Sequence, residues 1–596
     1  MSAWFRETPA GKAIRLLSGK QFLKYPEEQP GFELPAEWKQ VCEEKPSSGS
    51  ISSSSEQLQH DAQLYRPSAT SEASDEESQR GKDNGGTNGD SPSVADEEGA
   101  MPEVTKTKSI PLAPRKTRDG HILVDWYRSD DDENPYNWSR GTRIMVASVI
   151  GLYTFIVYLS SAIYTPSVEG VMEAFGVNLS QSNLGLALFV LGYGIGPLIF
   201  SPLSELPSIG RNPIYIVTMF LFVIVSIPTA LAASFEGLMV ARFFQGFFGS
   251  PCLASGAATM GDMFGMTTLP YALVLWVSSA YCGPALGPLL SGFSVPAMGW
   301  RWSLLEIIWG SAPVFIAMLF LLPETSTPAL LYNRAARLRK VTGDARFLSQ
   351  SELDRRGLTS KEVFVDAIIK PLEITIKDPA ILFVQIYTAI VYGIYYSFFE
   401  VFPLVFPVYY GMSYGEVGLV FLCVLVACLI GATSYVAYIY FYMNPLVARL
   451  AAPPHNTAPK NEIRLVPALF ASFGPTIGLF IFAWTASPAF PWIAPTIGIT
   501  LYGAAAFVVM QCIFVYVPMS YPQYAASLFA ANDFFRSASA FASILYAGPL
   551  FGNLGVARGV TLLAGLSVIG IVGIWLLYYT GERLRKRSSF AVYKAE

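Results

Sequence analysis

Histidine is nearly missing from this chain, and charge is missing from most of it. His60, His121 and His455 are its three histidines. All three fall outside the apolar segments, so no histidine is available there as a proton relay. Asp, Glu, Lys and Arg make up 14% of the 596 residues, against about 25% in a soluble globular protein. They gather in the first 140 residues, in one central loop and at the C-terminus. A net charge of −4 gives no support for a nucleic-acid partner. No G-x-x-x-x-G-K-[ST] phosphate loop and no nucleophile–base constellation occurs, which argues against an ATP-driven pump and against an enzyme. Of the six cysteines, Cys42 lies in polar sequence, and Cys252, Cys282, Cys423, Cys428 and Cys512 lie in apolar sequence. None forms a CxxC pair or sits near a histidine, so they read as small buried hydrophobes rather than disulfides or metal ligands. Neither a metal nor a cofactor is expected.

Apolar residues fill the space that charge leaves, at 52% of the chain. Runs of about 20 residues recur near 144–164, 184–203, 213–232, 238–260, 271–294, 301–322, 380–402, 417–443, 465–486, 492–517, 523–548 and 559–580. Each is long enough to cross about 30 Å of hydrocarbon as a helix, and the continuity of the runs excludes the alternation of a β-barrel. The first 30 residues hold Arg6, Lys12, Arg15, Lys20 and Lys24 with no sustained apolar core, so no cleavable signal is expected and insertion starts from the first span. Residues 46–98, with SSGSISSSS and SDEESQRGKDNGGTNGD, are too polar to offset chain entropy and are expected to be disordered. Ser74 and Ser78 lie in acidic context and are read as phosphorylated or as plain solvated residues; the first 40 residues have room for a short amphipathic helix.

Basic residues set the orientation. Residues 324–379 carry Arg334, Arg337, Arg339, Lys340, Arg346, Arg355, Arg356, Lys361, Lys370 and Lys377, and the C-terminus carries Arg583, Arg585, Lys586, Arg587 and Lys594. The connections after spans one, three, seven and nine carry none, and those after five and eleven only Arg301 and Arg558. Both termini and the central loop are therefore expected on the cytoplasmic side. The sequon at Asn178 then falls outside and is a glycosylation candidate, whereas that at Asn137 falls inside.

Five charges interrupt the apolar runs: Arg242, Glu306, Glu400, Asp533 and Arg536. A charge at the bilayer centre costs at least about 2.5–3.5 kcal/mol, so each is a functional candidate. Two readings stand: ion pairs that hold helices together, or carboxylates that load and release a proton. Asp533 and Arg536, at i and i+3, share a helix face and suit a structural pair. Glu306 and Glu400 lack such a partner on their own helices, so one of them, tuned by Arg242 from across the cavity, is the expected proton carrier, with Asp533 next.

The segment SPLSELPSIGRNP between spans two and three resembles the loop motif of the major facilitator superfamily. The resemblance gives Glu205 the acidic role, Gly210 and Arg211 the turn and the arginine, and Asp262 the part of the arginine's partner at a closed cytoplasmic face. Ser201 stands where the first glycine usually does, and extra residues separate Glu205 from Gly210. ARFFQGFFGSP is similar to the family's R-x-x-Q-G motif, with Arg242, Gln245 and Gly246. CGPALGPLLSGF resembles the antiporter motif, with Gly283, Pro284, Gly287, Pro288 and Gly292, Ser279 replacing an earlier glycine. Plain helix packing explains those residues equally well: the glycines permit close approach and the prolines kink the helix. ENPYNWS, GWRW, PET at 323–325, FFEVFP, ANDFFRS with Asn532, and LRKRSSFA are also similar. Together they resemble the fungal twelve-span drug:proton antiporters of the benomyl and fluconazole resistance group.

The resemblance implies an all-α membrane protein with two six-helix halves, 141–323 and 380–580, around a central cavity. The flanking expectations are a largely disordered cytoplasmic tail over 1–140, a cytoplasmic loop over 324–379 and a cytoplasmic tail over 581–596. Tyr392, Tyr395 and Tyr396 in span seven read either as an interfacial belt or as cavity lining. Gln245 and Asn532 are further cavity candidates. The expected function is proton-coupled export of toxic small molecules at the plasma membrane by a functional monomer in the bilayer. The alternatives are export of a secondary metabolite or a polyamine, or a non-transporting sensor. A polyamine site calls for several inward carboxylates, and at most three are present. A reporter fused after Glu596 is expected to resist labelling from outside intact cells; external labelling would refute the orientation.

Overall fold

The computed structural model describes residues 3–43, 109–117, 119–356, 360–452, 460–521, 524–588 and 590. The acidic serine tract at 46–98, with Ser74 and Ser78, lies outside the described residues.

Helices form at all twelve expected spans. In the N-terminal half they are Arg140–Ala162, Leu184–Ser204, Arg211–Ala230, Phe235–Gly249 continued by Pro251–Met263, Leu269–Met298 and Arg301–Leu321. In the C-terminal half they are Pro379–Tyr410, Tyr414–Val420 continued by Leu422–Tyr438, Val466–Ala471 continued by Phe473–Thr485, Ile493–Ser520, Ala525–Leu554 and Val556–Arg587. Ten helices among the described residues are long and apolar enough to cross a membrane. Span four is not among them because it breaks at Ser250, leaving pieces of 15 and 13 residues around Pro251, which has no N–H to continue the ladder. Span eleven is long enough but is diluted by Asn532, Asp533, Arg536 and the serines 527, 537, 539 and 543.

Capping fixes where the spans begin. The Ser139 hydroxyl accepts from the backbone of Thr142 at 3.2 Å, and Asp378 accepts from Ala380 at 3.0 Å. Span ten lies at the centre, with 83% of its most apolar stretch buried, whereas span six, at 22%, is on the outside.

Glycines let the backbones meet. A Cβ on Gly283 would lie 2.7 Å from the Leu159 nitrogen, and one on Gly287 2.8 Å from that of Ile163, so span five lies directly on span one. A Cβ on Gly292 would lie 2.7 Å from the Tyr414 carbonyl, and one on Gly418 2.7 Å from that of Pro288, which joins span five to span eight of the other half. The halves also meet where Gln511 donates to the Pro270 carbonyl (3.3 Å) and Asn444 to the Tyr271 hydroxyl (3.0 Å).

The expectation of a largely disordered 1–140 does not hold for residues 3–43, 109–117 and 119–140, which fold onto the central segment. That segment is itself largely helical, with Thr327–Thr342 and Ser360–Lys377. Strand β1 (Arg115–Lys116) pairs antiparallel with β2 (Ile122–Leu123), and β2 pairs parallel with β3 (Phe347–Leu348). Trp38 is fully buried, and its ring nitrogen donates to the Leu112 carbonyl at 2.8 Å. The physical reason is charge. Arg334 is fully buried and donates to Asp131 at 2.8 Å and to Glu133 at 2.9 Å, while Arg337 donates to Glu27 and Glu133 at 3.0 Å each. Arg6 reaches the same Glu133. The N-terminal region supplies the carboxylates that these arginines require. Composition concealed this because the serine tract dilutes the average.

Removing one partner of a buried pair costs about 3–5 kcal/mol. Arg334→Ala is therefore expected to abolish amide protection over 327–342 in hydrogen exchange; unchanged protection would dismiss the cap. Burial raises the Asp131 carboxyl, but the Arg334 guanidinium more than offsets this and holds it below the usual range. A group lowered in the folded state contributes stability in full above its unfolded value, and that stability is lost as pH falls through the folded one. Protection of 327–342 is thus expected to be the same at pH 7 and pH 5 and to fall only in stronger acid.

Candidate functional site

The two halves enclose a narrow cavity. Tyr158 of span one and Trp276, Tyr281 and Pro284 of span five line one side; Tyr392 and Tyr395 of span seven, Tyr502, Met510 and Phe514 of span ten and Arg536 of span eleven line the other. Arg536 is the one charged residue of that lining. It pairs with Asp533 on its own helix and lies 4.9 Å from the Tyr392 ring centre, in cation–π range. Asp533 Oδ2, Arg536 Nε and the Tyr395 hydroxyl are buried without a partner among the described residues. The cavity wall thus offers donors and aromatic faces together with one half-satisfied ion pair.

Hydroxyls close the wall between the halves. Tyr193 bonds to the hydroxyls of Tyr392 (2.6 Å) and Tyr396 (3.0 Å), and Ser161 bonds to Tyr396 at 3.1 Å. Buried tyrosines need such partners, and here the partners cross from one half to the other. At the end nearer Asn178, Asn183 donates to Glu400 Oε2 at 2.6 Å, again from one half to the other.

The structure corrects several expectations. Arg242 is fully buried but has no carboxylate within salt-bridge distance among the described residues. Its guanidinium donates to the carbonyls of Gly185 and Ser160 and to Gln245, each at 3.0 Å, and to the carbonyl of Ser161 at 3.3 Å, and it stacks on Phe189. It therefore pairs directly with neither Glu306 nor Glu400; backbone carbonyls and an aromatic face satisfy it. Glu306 sits on the outlying span six, away from the cavity, with Oε2 buried and no hydrogen-bond partner among the described residues. Gln245 links Arg242 to Ser226 (2.7 Å) and does not line the cavity. Asn532 bonds to Gln385 (2.6 Å) and Thr388 (2.7 Å) and borders a smaller neighbouring space. Tyr396 is buried behind the lining rather than in it.

The loop motif forms a compact ion site. Arg211 Nε donates to Asp262 at 2.5 Å and Nη2 to the other oxygen at 3.2 Å, a bidentate pair. Gly210 has φ +81°, and a Cβ there would strike the Glu324 carboxylate, so only glycine fits. Glu324, from PET, accepts from the backbone of Arg211 (3.0 Å) and Asn212 (3.1 Å) at the start of span three, and from Thr325 and Ser326. Glu205 has no ion pair among the described residues; its carbonyl accepts from Arg355 at 3.2 Å. The carboxylate at the helix start is thus Glu324, which charge patterning missed because it lies 113 residues from Arg211. The lining residues Tyr158, Trp276, Tyr281, Tyr502 and Phe514 were also missed. Their one signal in the sequence is an aromatic deep within a span, which helix packing produces just as often.

Two six-helix halves joined around a cavity define a polytopic membrane transporter. A family model described as Major Facilitator Superfamily matches residues 150–544, and the chain belongs to that superfamily. It is 45% identical over 80% of its length to the MFS-type transporter pyvG of Aspergillus violaceofuscus, 87% of which is covered. It is 35% identical over 99% of its length to the cycloheximide resistance protein of Candida maltosa, all of which is covered. It is 37% identical over 78% of its length to fluconazole resistance protein 1 of Saccharomyces cerevisiae, covering 84% of it. Among solved structures, the proton:xylose symporter XylE shares the fold, with a TM-score of 0.51 at 13% identity over 74% of this chain and 96% of that one.

Reversing one charge of the Arg211–Asp262 pair leaves like charges in contact. Arg211→Asp or Asp262→Arg alone is expected to lower transport at least about tenfold, the factor that 1.4 kcal/mol represents. The double exchange is expected to recover part of it; no recovery would refute a functional pairing.

Proposed function

We propose that this protein exports toxic, largely apolar small molecules, including azole-type antifungals, across the plasma membrane in exchange for protons, and that it works as a monomer. The observation that carries the reading is the cavity, whose aromatic walls suit uncharged ligands. The cycloheximide and fluconazole resistance proteins named above support it. The same cavity weighs against a polyamine, because its charged lining residue is the cation Arg536 and its lining contains no carboxylate.

In this reading the Arg211–Asp262 pair and Glu324 hold the cytoplasmic side closed, and Asn183–Glu400 holds the outer side closed. Asp533 is the coupling carboxylate. Its bond to Arg536 makes proton and ligand compete: a proton on Asp533 breaks the pair and leaves an unpaired cation facing the apolar ligand, which favours release, whereas an apolar ligand against the wall favours the neutralised pair and so drives the proton off. Span five, pinned on one side to span one and on the other to span eight, is where the halves turn on each other. Asn178, exposed at the start of the Leu179–Ser182 turn, is the glycosylation site.

Vesicles holding the full chain, an imposed pH gradient and a labelled azole test the assignment. Asp533→Asn is expected to lose gradient-driven efflux at least tenfold, Glu400→Gln to slow efflux while keeping its pH dependence, and Glu306→Gln to behave as the parent. Normal coupling in Asp533→Asn would remove that residue from the proton path.

A further inference from the structure

At the end of the C-terminal half where the arginine cluster lies, a groove of about 440 Å³ runs between spans seven and twelve. Pro379, Ala380 and Phe383 form one wall. The other wall is a single face of span twelve, with Gly573, Leu576, Leu577, Thr580, Arg583, Leu584 and Arg587 recurring at helical spacing. That face passes from apolar to cationic along its length. Leu576 is exposed, as a lipid-facing residue is.

The two arginines differ from the basic residues around them. Arg585 is held by Glu462 and Tyr516, Lys586 by Glu582, and Lys377 by Glu373. Arg583 and Arg587, one turn apart and exposed, have neither an ion pair nor a hydrogen bond among the described residues. Of the buried carboxylates at this end, Glu462 is taken by Arg585, and Asp378 faces Tyr521 and the start of span seven. The groove mouth is therefore positive with no counter-charge among the described residues, at the level where spans leave the hydrocarbon.

We propose that this groove is a binding site for an anionic phospholipid, its phosphate held between Arg583 and Arg587 and one acyl chain lying along Leu576, Leu577 and Phe383. Guanidinium forks match phosphate oxygens bidentately, and basic pockets between spans on the cytoplasmic side favour anionic headgroups. A free phosphate ion satisfies the arginines alone. The apolar length of the groove demands a chain, which commits the site to a lipid.

The test uses the full-length protein in detergent with added phosphatidylserine, and native mass spectrometry to count retained lipid. The parent is expected to hold one phosphatidylserine through a high-salt wash. Arg583→Gln with Arg587→Gln is expected to retain it at least fivefold less, and because both side chains are exposed and unpaired the variant keeps its melting temperature. Leu576→Trp, which fills the apolar part and leaves both charges, is expected to lower retention as well. Arg140→Gln with Arg449→Gln, which removes juxtamembrane charge elsewhere, is expected to retain lipid as the parent does. Equal retention in the parent and the groove variants overturns the site. Equal loss in the Arg140/Arg449 control reduces it to surface charge. Competition by inorganic phosphate or glycerophosphoserine as effective as that by the diacyl lipid reduces it to an anion site, which also overturns the proposal.

Discussion

A group that loses water inside hydrocarbon must find its partner inside the protein, and the placement of the best-satisfied buried polar residues here follows from that requirement. Arg242 illustrates it. Among the described residues no carboxylate is within its reach, so carbonyls from spans one and two, a glutamine one turn away and a phenylalanine ring share the cation. Those carbonyls are available because Gly246 lets span four approach the span-two backbone around Phe189. The cation thus holds three helices of one half together as a unit. Asp533 and Arg536 solve the same problem within one helix, but incompletely, and it is the incomplete pair that borders the cavity.

Within a half, backbone meets backbone through glycine, which is close and shape-determined. Between halves, glycines also bring helices together, Gly292 and Gly418 at spans five and eight and Gly194 of span two against Ser537 of span eleven, and hydrogen bonds add to them: tyrosine to tyrosine at the cavity and asparagine to glutamate toward the Asn178 end. A typical hydrogen bond contributes only about 0.5–1.5 kcal/mol net. Links of that size can break and re-form at little cost, which suits two rigid bodies that must alternate between arrangements.

The cap over the central segment extends the same logic to the aqueous side. Arg334 and Arg337 lie on one face of Thr327–Thr342 and are neutralised by residues from far earlier in the chain. Glu324, which holds the start of span three, lies three residues before that helix. The folded N-terminal region and the loop motif therefore meet at one short connection.

Span count, the charged central loop and the family were legible in the sequence, because the bilayer imposes length and apolarity residue by residue and the motifs are local. So were the Arg211–Asp262 pair, through its motif, and the Asp533–Arg536 pair, through its i, i+3 spacing. The hydrogen-bond partners of Arg242, the placement of Gln245 and Asn532, the folding of residues 3–43, 109–117 and 119–140, and the part played by Glu324 were decided by tertiary structure alone. Each turns on which groups distant in the chain come within hydrogen-bond range once helices pack. A hydropathy pattern says that a residue is buried; only the packed neighbours determine what satisfies it.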